Sequence, residues 1–132
     1  MCRCMLVLVI GSALREISGD QARFGMTFIE EARTALKHRL YALEGRWAAL
    51  VEDESDGIFV EGELVHIPDD RWAEVAASEP PGIVPGPVEL EDGRVVTAAL
   101  GDPEYFRDHG EDITGLGSFP AFLRSRSDSA ER

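Results

Sequence analysis

The stretch Gly62–Asp92, GELVHIPDDRWAEVAASEPPGIVPGPVELED, predicts a strand, a helix and a rigid turn in immediate succession. Residues 61–67 (EGELVHI) have the alternation and composition of a strand and run into Pro-Asp-Asp, a typical helix start. We expect Asp69 or Asp70 to cap a helix over residues 71–78, RWAEVAAS. A strand that turns directly into a short helix is typical of a fold with both element types.

The predicted helix stops at Glu79-Pro80-Pro81-Gly82 because proline cannot continue a helix. This places the Glu79 carboxylate at the helix C-terminal end, where the helix dipole is also negative. Two interpretations follow. Either Glu79 is solvated and inert, or the fold holds it there for proton-transfer chemistry.

The rest of the chain contains more predicted strands than helices. The continuous apolar run Met5–Ile10 predicts a strand buried at the centre of a sheet, and residues 28–36 fit either a helix or a strand. Further strands are expected over residues 39–43, 58–67, 88–90 and 94–100, and short helical segments over residues 105–109 and 119–124.

Together these elements predict one α+β domain over residues 1–126. Its sheet is expected to be small, mixed and curled, or closed into a barrel, with a few short helices between the strands. Residues 127–132 are expected to form a polar C-terminal tail.

Composition and charge restrict the classes of partner. The chain has 132 residues, of which 44% are hydrophobic, enough for a single packed core. Its net charge is −12, from 25 acidic and 13 basic residues, which argues against binding to nucleic acid or to an anionic membrane surface. The expected partner is therefore a small molecule or another protein.

The N-terminal sequence indicates a reducing, cytoplasmic location. Cys2 and Cys4 are the only cysteines, and no later cysteine completes a metal site with them. The apolar run Met5–Ile10 is too short to span a membrane and is rich in β-branched residues, which favours a strand over a signal peptide.

The loop Gly11-Ser12-Ala13-Leu14 follows the first predicted strand directly. Small residues there allow a ligand to approach the backbone, and free N–H groups can bind a carboxylate or an oxyanion. The alternative is an ordinary turn that only ends the strand.

Residues 52–63 (EDESDGIFVEGE) approach the spacing of a calcium-binding loop. The first position is Glu52, where aspartate is expected, and the flanking sequences predict strands, whereas a calcium loop of this kind lies between helices. We therefore expect a solvated acidic turn without a metal.

The order of these features resembles the gamma-glutamylcyclotransferase-like superfamily. In that superfamily a strand ends in a Gly-Ser or Gly-Thr loop that grips the substrate, a Gly-x-Leu strand leads into a helix, and a catalytic glutamate follows. Gly11-Ser12, Gly62-Glu63-Leu64 and Glu79 occupy the matching positions. The resemblance implies that Glu79 is a general base, that Gly11–Leu14 bind substrate, and that no cofactor is needed.

A narrower resemblance is to the C-terminal domain of allophanate hydrolase and its stand-alone relatives. It rests on EARTA, RLYAL, PPGIVPGPVELEDGR and ITGLGSFPAFLRS, and spans Met5 to Arg126. Two residues depart from the cyclotransferase pattern: Ile10 replaces the tyrosine before Gly-Ser, and Pro80 replaces the glycine after the catalytic glutamate. Allophanate hydrolase domains generally lack the glutamate that this chain has at Glu79.

Three functions remain open at this point. The first is an enzyme in which Glu79 deprotonates the α-ammonium group of a γ-glutamyl amide, so that the amine attacks the γ-carbonyl and 5-oxoproline forms. The second is the role implied by the allophanate hydrolase resemblance, which is decarboxylation of the N-carboxycarbamate released by a partner amidase, or assembly with that amidase. The third is a non-catalytic module on the same fold that serves binding or oligomerisation, for example as a homodimer.

Overall fold

Eight strands and four short helices form the fold within residues 4–130, which the computed structural model describes, with side chains described for residues 5–126. The strands are β1 (Cys4–Val9), β2 (Thr27–Arg33), β3 (His38–Leu43), β4 (Trp47–Glu52), β5 (Glu61–Pro68), β6 (Ile83–Glu89), β7 (Val95–Gly101) and β8 (Glu111–Asp112). The helices are α1 (Asp20–Arg23), α2 (Asp69–Ala77), α3 (Pro103–His109) and α4 (Phe119–Ala130), with a 3-10 turn at Thr114–Leu116.

All eight strands belong to one mixed sheet, in the order β2-β5-β1-β7-β4-β3-β8, with β6 paired to β7. Strand β1 is antiparallel to β5 and parallel to β7, and β4 is also parallel to β7. Within the described residues β2 and β8 do not pair, so the sheet is open rather than a closed barrel. The prediction of an α+β fold on a small mixed sheet with a few short helices is confirmed.

Strand β1 is buried on both faces, as its continuous apolar sequence predicts. Leu8 and Ile10 belong to the main core, which α4 covers on one side. Val7 and Val9 point to the opposite face, where a second cluster packs against α2. The two-residue period of a strand thus makes β1 the element shared by both halves of the core.

Gly62 allows β5 to lie directly against β1. A Cβ atom added at Gly62 would overlap the carbonyl oxygen of Val9, which is backbone and cannot move aside like a flexible side chain. The neighbouring register pairs Val9 with Glu63 and Leu8 with Leu64. The glycine of the Gly-Glu-Leu sequence is therefore a packing requirement of the central sheet.

Several predicted strands have different bounds in the structure, and β4 and β8 lie outside the predicted strands. Most of strand β2 (Thr27–Arg33) lies in the ambiguous segment 28–36, and strand β6 (Ile83–Glu89) begins before the predicted 88–90. The strand predicted over 58–67 begins only at Glu61, because the backbone of 58–60 bonds to Thr34. The Thr34 hydroxyl donates to the Ile58 carbonyl and accepts from the Val60 N–H, and the Thr34 N–H donates to the Val60 carbonyl.

The proline-rich segment after Gly82 forms part of the sheet. Strand β6 includes Pro85 and Pro87 and pairs with β7 across Glu91-Asp92-Gly93, as the Asp-Gly sequence predicts. Strand β6 pairs with β7 alone among the described strands, so an edge position explains why it tolerates residues without an N–H group.

The helix predictions need two corrections. Helix α2 begins at Asp69, so Pro68 is its N-cap residue and no side chain caps it; Asp69 and Asp70 instead lie in the first turn, where their charges complement the helix dipole. Helix α4 extends to Ala130, beyond the predicted end at Arg124, because no glycine or proline interrupts it after its first turn.

The Cys2–Cys4 pair lies outside the described residues, Cys2 entirely and Cys4 in its side chain. Among the described residues, no helix is both long enough and apolar enough to cross a membrane.

We expect Gly62→Ala to lower the free energy of unfolding by about 1–3 kcal/mol, because the added methyl group pushes β5 away from β1. Gly115→Ala is the control, since a Cβ at Gly115 would meet no atom within 4 Å. Urea denaturation of both variants measures the difference, and equal stabilities for the two variants would contradict the close approach of β1 and β5.

Candidate functional site

A cavity of about 90 Å³ opens where β1 and β4 separate along β7. Strand β7 pairs with β1 at Thr97 and Ala98, and with β4 at Leu100. The end of β1, the start of β4 and the middle of β7 therefore surround one point. Helix α2 closes the cavity from the side.

Gly11 lets the loop after β1 pass close to β4. A Cβ at Gly11 would lie 2.9 Å from the Cβ of Ala48, closer than Cβ atoms come to other heavy atoms in folded proteins. Gly11, Ser12 and Ala13 all line the cavity, together with Ala48. The absence of a side chain at Gly11 thus brings backbone, rather than side chains, to this wall.

The four residues predicted to bind substrate form a tight turn. The Leu14 N–H donates to the Gly11 carbonyl at 3.0 Å. The Leu14 side chain is buried in the core cluster beside β1 and does not line the cavity. The Ser12 and Ala13 N–H groups donate to no other group among the described residues. Of the loop Gly11–Leu14, three residues therefore reach the cavity and the fourth anchors the turn.

Glu79 reaches the same cavity from the end of α2. Its N–H donates to the Ala76 carbonyl at 3.3 Å, which extends the last helical turn by one bond. The turn that follows is fixed by Gly82, which has φ 88° and lies against the ring of Tyr105, where a Cβ would overlap the ring. The position of Glu79 thus depends on both the helix and this turn.

Burial raises the pKa of Glu79 above its ordinary value. Within the described part of the chain, no hydrogen bond or salt bridge to its carboxylate compensates for the lost hydration. Among the residues whose side chains the structure describes, no lysine, arginine or histidine lines the cavity, and Glu79 is the single ionisable one that does. A cavity-lining carboxyl group whose pKa is raised by burial is a candidate for proton transfer.

Two tryptophans that the sequence interpretation missed shape the rest of the cavity. Trp47, at the start of β4, and Trp72, on α2, both line it and are half-buried. The spacing of Trp72, Val75, Ala76 and Glu79 is the i, i+3, i+4, i+7 pattern of one helix face, so the sequence did contain a signal for Trp72. No comparable signal identified Trp47.

The remaining sequence alternatives occupy other places. Ile10, which stands where cyclotransferases have a tyrosine, is buried in the main core and also lines the cavity. Residues 54–56 form a turn in which the Asp53 carboxylate accepts hydrogen bonds from the Ser55 and Asp56 N–H groups. Strand β4 precedes this turn, so the flanks are not those of a helical calcium loop.

Comparison with models of known protein families identifies the family to which the chain belongs. The model of the allophanate hydrolase C-terminal domain matches residues 5–124. The chain belongs to this family. The resemblance inferred from the order of the motifs is therefore confirmed, whereas no curated protein sequence matches the chain.

Solved structures agree with the family assignment. A uropathogenic Escherichia coli-specific protein, c4763, is 26% identical with a TM-score of 0.84, covering 92% of this chain and 96% of that one. Allophanate hydrolase from Kluyveromyces lactis is 23% identical with a TM-score of 0.83, covering 93% of this chain but 21% of the hydrolase. A gamma-glutamyl cyclotransferase is 16% identical with a TM-score of 0.54, covering 76% and 68%, and shares the fold.

The raised pKa of Glu79 has a consequence for stability. Below the ordinary glutamate pKa the group is neutral in the folded and unfolded states; as pH rises through the folded-state pKa it ionises inside the cavity, and stability is lost. Glu79→Gln removes this penalty. We expect its thermal midpoint to exceed that of the wild type at pH 8, and this gain to disappear as the pH falls below about 4.3.

Glu74→Gln is the matched control, because Glu74 lies on the same helix but is exposed to solvent. Thermal unfolding of the three proteins across this pH range measures the effect. A Glu79→Gln gain that does not vary with pH would contradict a buried, uncompensated carboxyl group.

Proposed function

We propose that this chain is an enzyme that acts on a small amide, with Glu79 as the residue that moves the proton. The observation that carries the proposal is that Glu79 and the Gly11–Ala13 backbone line one cavity. The Ser12 and Ala13 N–H groups are the candidate donors to a substrate carboxylate or to the oxyanion that forms during reaction.

The cavity walls support this chemistry. Trp47 and Trp72 give the cavity large apolar walls, and next to such walls N–H dipoles directed at a developing charge act more strongly than they would in water. The same environment raises the pKa of Glu79 above its ordinary value, which makes the protonated form easier to reach than for an exposed glutamate.

Two substrate classes fit this arrangement. With a γ-glutamyl amide, ionised Glu79 takes a proton from the α-ammonium group, the amine attacks the γ-carbonyl carbon, and the C–N bond breaks. The leaving amine receives the proton, and 5-oxoproline is the second product. The position of Glu79 in the motif order favours this reaction, because it matches that of the cyclotransferase base.

With a carboxylated amide, Glu79 acts in the opposite direction. The bond between nitrogen and the carboxylate carbon breaks, CO₂ leaves, and protonated Glu79 gives its proton to the nitrogen. Membership in the allophanate hydrolase C-terminal domain family favours this class and a partner amidase that supplies the substrate. The chain covers about a fifth of the K. lactis hydrolase, so the amidase activity would come from another polypeptide segment.

We expect the purified chain to release 5-oxoproline from γ-glutamyl amides, or to accelerate CO₂ release when allophanate is supplied with an active amidase. Glu79→Gln should lower the rate of the active reaction by about 10²–10⁴-fold, the usual contribution of a general acid or base. Chromatographic detection of 5-oxoproline and measurement of evolved CO₂ distinguish the two reactions.

Glu74→Gln is again the control and should keep the wild-type rate, since Glu74 is exposed and outside the cavity. Full activity of Glu79→Gln would remove Glu79 from the mechanism. No activity of the wild-type chain in either assay would favour a binding module.

The pH dependence separates the two roles of Glu79. If Glu79 is a base, kcat rises as pH increases through its raised pKa; if it is an acid, kcat falls over the same range. We expect kcat to rise with pH if the substrate is a γ-glutamyl amide, and to fall with pH if it is a carboxylated amide. The opposite slope with a given substrate would contradict the proton-transfer direction proposed for it.

A further inference from the structure

The turn at Gly11–Leu14 is held by a buried carboxylate outside the cavity. Glu63, on β5, is 9% exposed and accepts three hydrogen bonds. One oxygen accepts from the Arg15 N–H at 3.0 Å and from Gln21 Nε2 at 2.9 Å; the other accepts from Arg15 Nε at 2.9 Å. Burial alone would raise the pKa of Glu63, but these bonds outweigh it and hold the pKa below its usual value.

Gln21 connects this carboxylate to the turn. It lies in α1, is 6% exposed, and donates one Nε2 hydrogen to Glu63 and the other to the Ala13 carbonyl at 3.0 Å. Both donors of its amide are therefore used. A buried side chain whose two bonds join a strand to a loop fixes the orientation of the loop peptide.

Every carbonyl of the turn accepts a hydrogen bond on the side away from the free N–H groups. Leu14 N–H donates to the Gly11 carbonyl, the Ser18 hydroxyl donates to the Ser12 carbonyl at 2.7 Å, and Gln21 donates to the Ala13 carbonyl. In a trans peptide the N–H points opposite to the preceding carbonyl. The Ser12 and Ala13 N–H groups are thus directed away from Leu14 and Ser18.

Arg15 completes the support from the outer side. Its guanidinium carbon lies 3.4 Å from the centroid of the Phe28 ring on β2, while its Nε bonds Glu63. The arginine therefore balances the Glu63 charge and is itself held in place by an aromatic face.

We propose that Glu63 and Gln21 are positioning residues that fix the Gly11–Leu14 turn as a preformed carboxylate-binding site, with the Ser12 and Ala13 N–H groups as its donors. The proposal rests on the proposed function, in which these N–H groups face the substrate and Glu79 transfers the proton, and it adds the residues that hold the turn in place. A carboxylate should therefore bind at the turn whether Glu79 is present or replaced by a residue that cannot transfer a proton.

The test uses acetate as the probe and ¹⁵N-labelled full-length protein. In the wild type, acetate should shift the Ser12 and Ala13 amide resonances saturably. Gln21→Met, which keeps the side-chain size but removes both donors, should weaken acetate binding about tenfold, the loss expected for one misaligned charge-assisted bond. Ser18→Ala removes the hydroxyl that donates to the Ser12 carbonyl and leaves the Gln21 bonds in place, so it should weaken acetate binding less.

Asp20→Asn is the matched control, because Asp20 is the neighbour of Gln21 on α1 and has no bond to the turn. It should bind acetate as the wild type does. Thermal midpoints of all variants show whether each protein is folded at the titration temperature; if Gln21→Met is unfolded, Ser18→Ala carries the test.

Acetate binding and catalytic activity test the positioning of the turn and the role of Glu79 separately. Glu79→Gln should bind acetate at least as well as the wild type, because it removes a negative charge from the cavity. Acetate that shifts neither Ser12 nor Ala13 in the wild type, or equal acetate affinity in the wild type, Gln21→Met and Ser18→Ala, would overturn the positioning role. Full catalytic activity of Glu79→Gln, with acetate binding intact, would instead overturn the proposed mechanism alone.

Discussion

The burial of β1 on both faces is the constraint on which the other elements depend. Its side chains alternate between two core clusters, so α2 must cover one face and α4 the other. A strand buried in this way pairs with a neighbouring strand on each edge. On the β5 side, Gly62 allows the two backbones to lie close together. On the other edge β1 shares β7 with β4, and the cavity forms where those two strands separate.

This arrangement gives the candidate site two different kinds of support. The Gly11–Leu14 turn is fixed by polar contacts, through Gln21 to the Glu63 carboxylate. Glu79 is fixed by backbone geometry. It lies between the end of α2 and a turn in which Gly82 packs against the Tyr105 ring. The two acids consequently differ. Glu63 has three donors and stays ionised, whereas Glu79 has none among the described residues and its pKa is raised by burial. Glu63 therefore serves the structure of the turn, and Glu79 is the carboxyl group proposed for proton transfer.

Much of the fold could be predicted locally because the signals lie within single elements. The apolar run of β1, the Asp-Gly hairpin between β6 and β7, and the short helix before Glu79 all follow from periodicity and turn chemistry. The predicted start of β5 is wrong because a side chain distant in the sequence takes hydrogen bonds that the strand would otherwise make. Thr34 bonds the Ile58 carbonyl and both backbone groups of Val60, so β5 starts later than predicted, and nothing near that segment in the sequence indicates this competition.

The sequence alone predicted most of the elements and their order, though not strands β4 and β8, and it indicated the family and singled out Glu79 and Gly11–Leu14 as chemically notable residues. The reason is that strand period, helix termination and glycine placement depend on neighbours within a few positions along the chain. Only the tertiary structure decided that Glu79 and residues 11–13 share one cavity, that Leu14 anchors the turn instead of lining that cavity, and that Trp47 completes its wall. These relations join residues from separate strands, and they depend on how β1 and β4 separate along β7, a distance in space that no local pattern encodes.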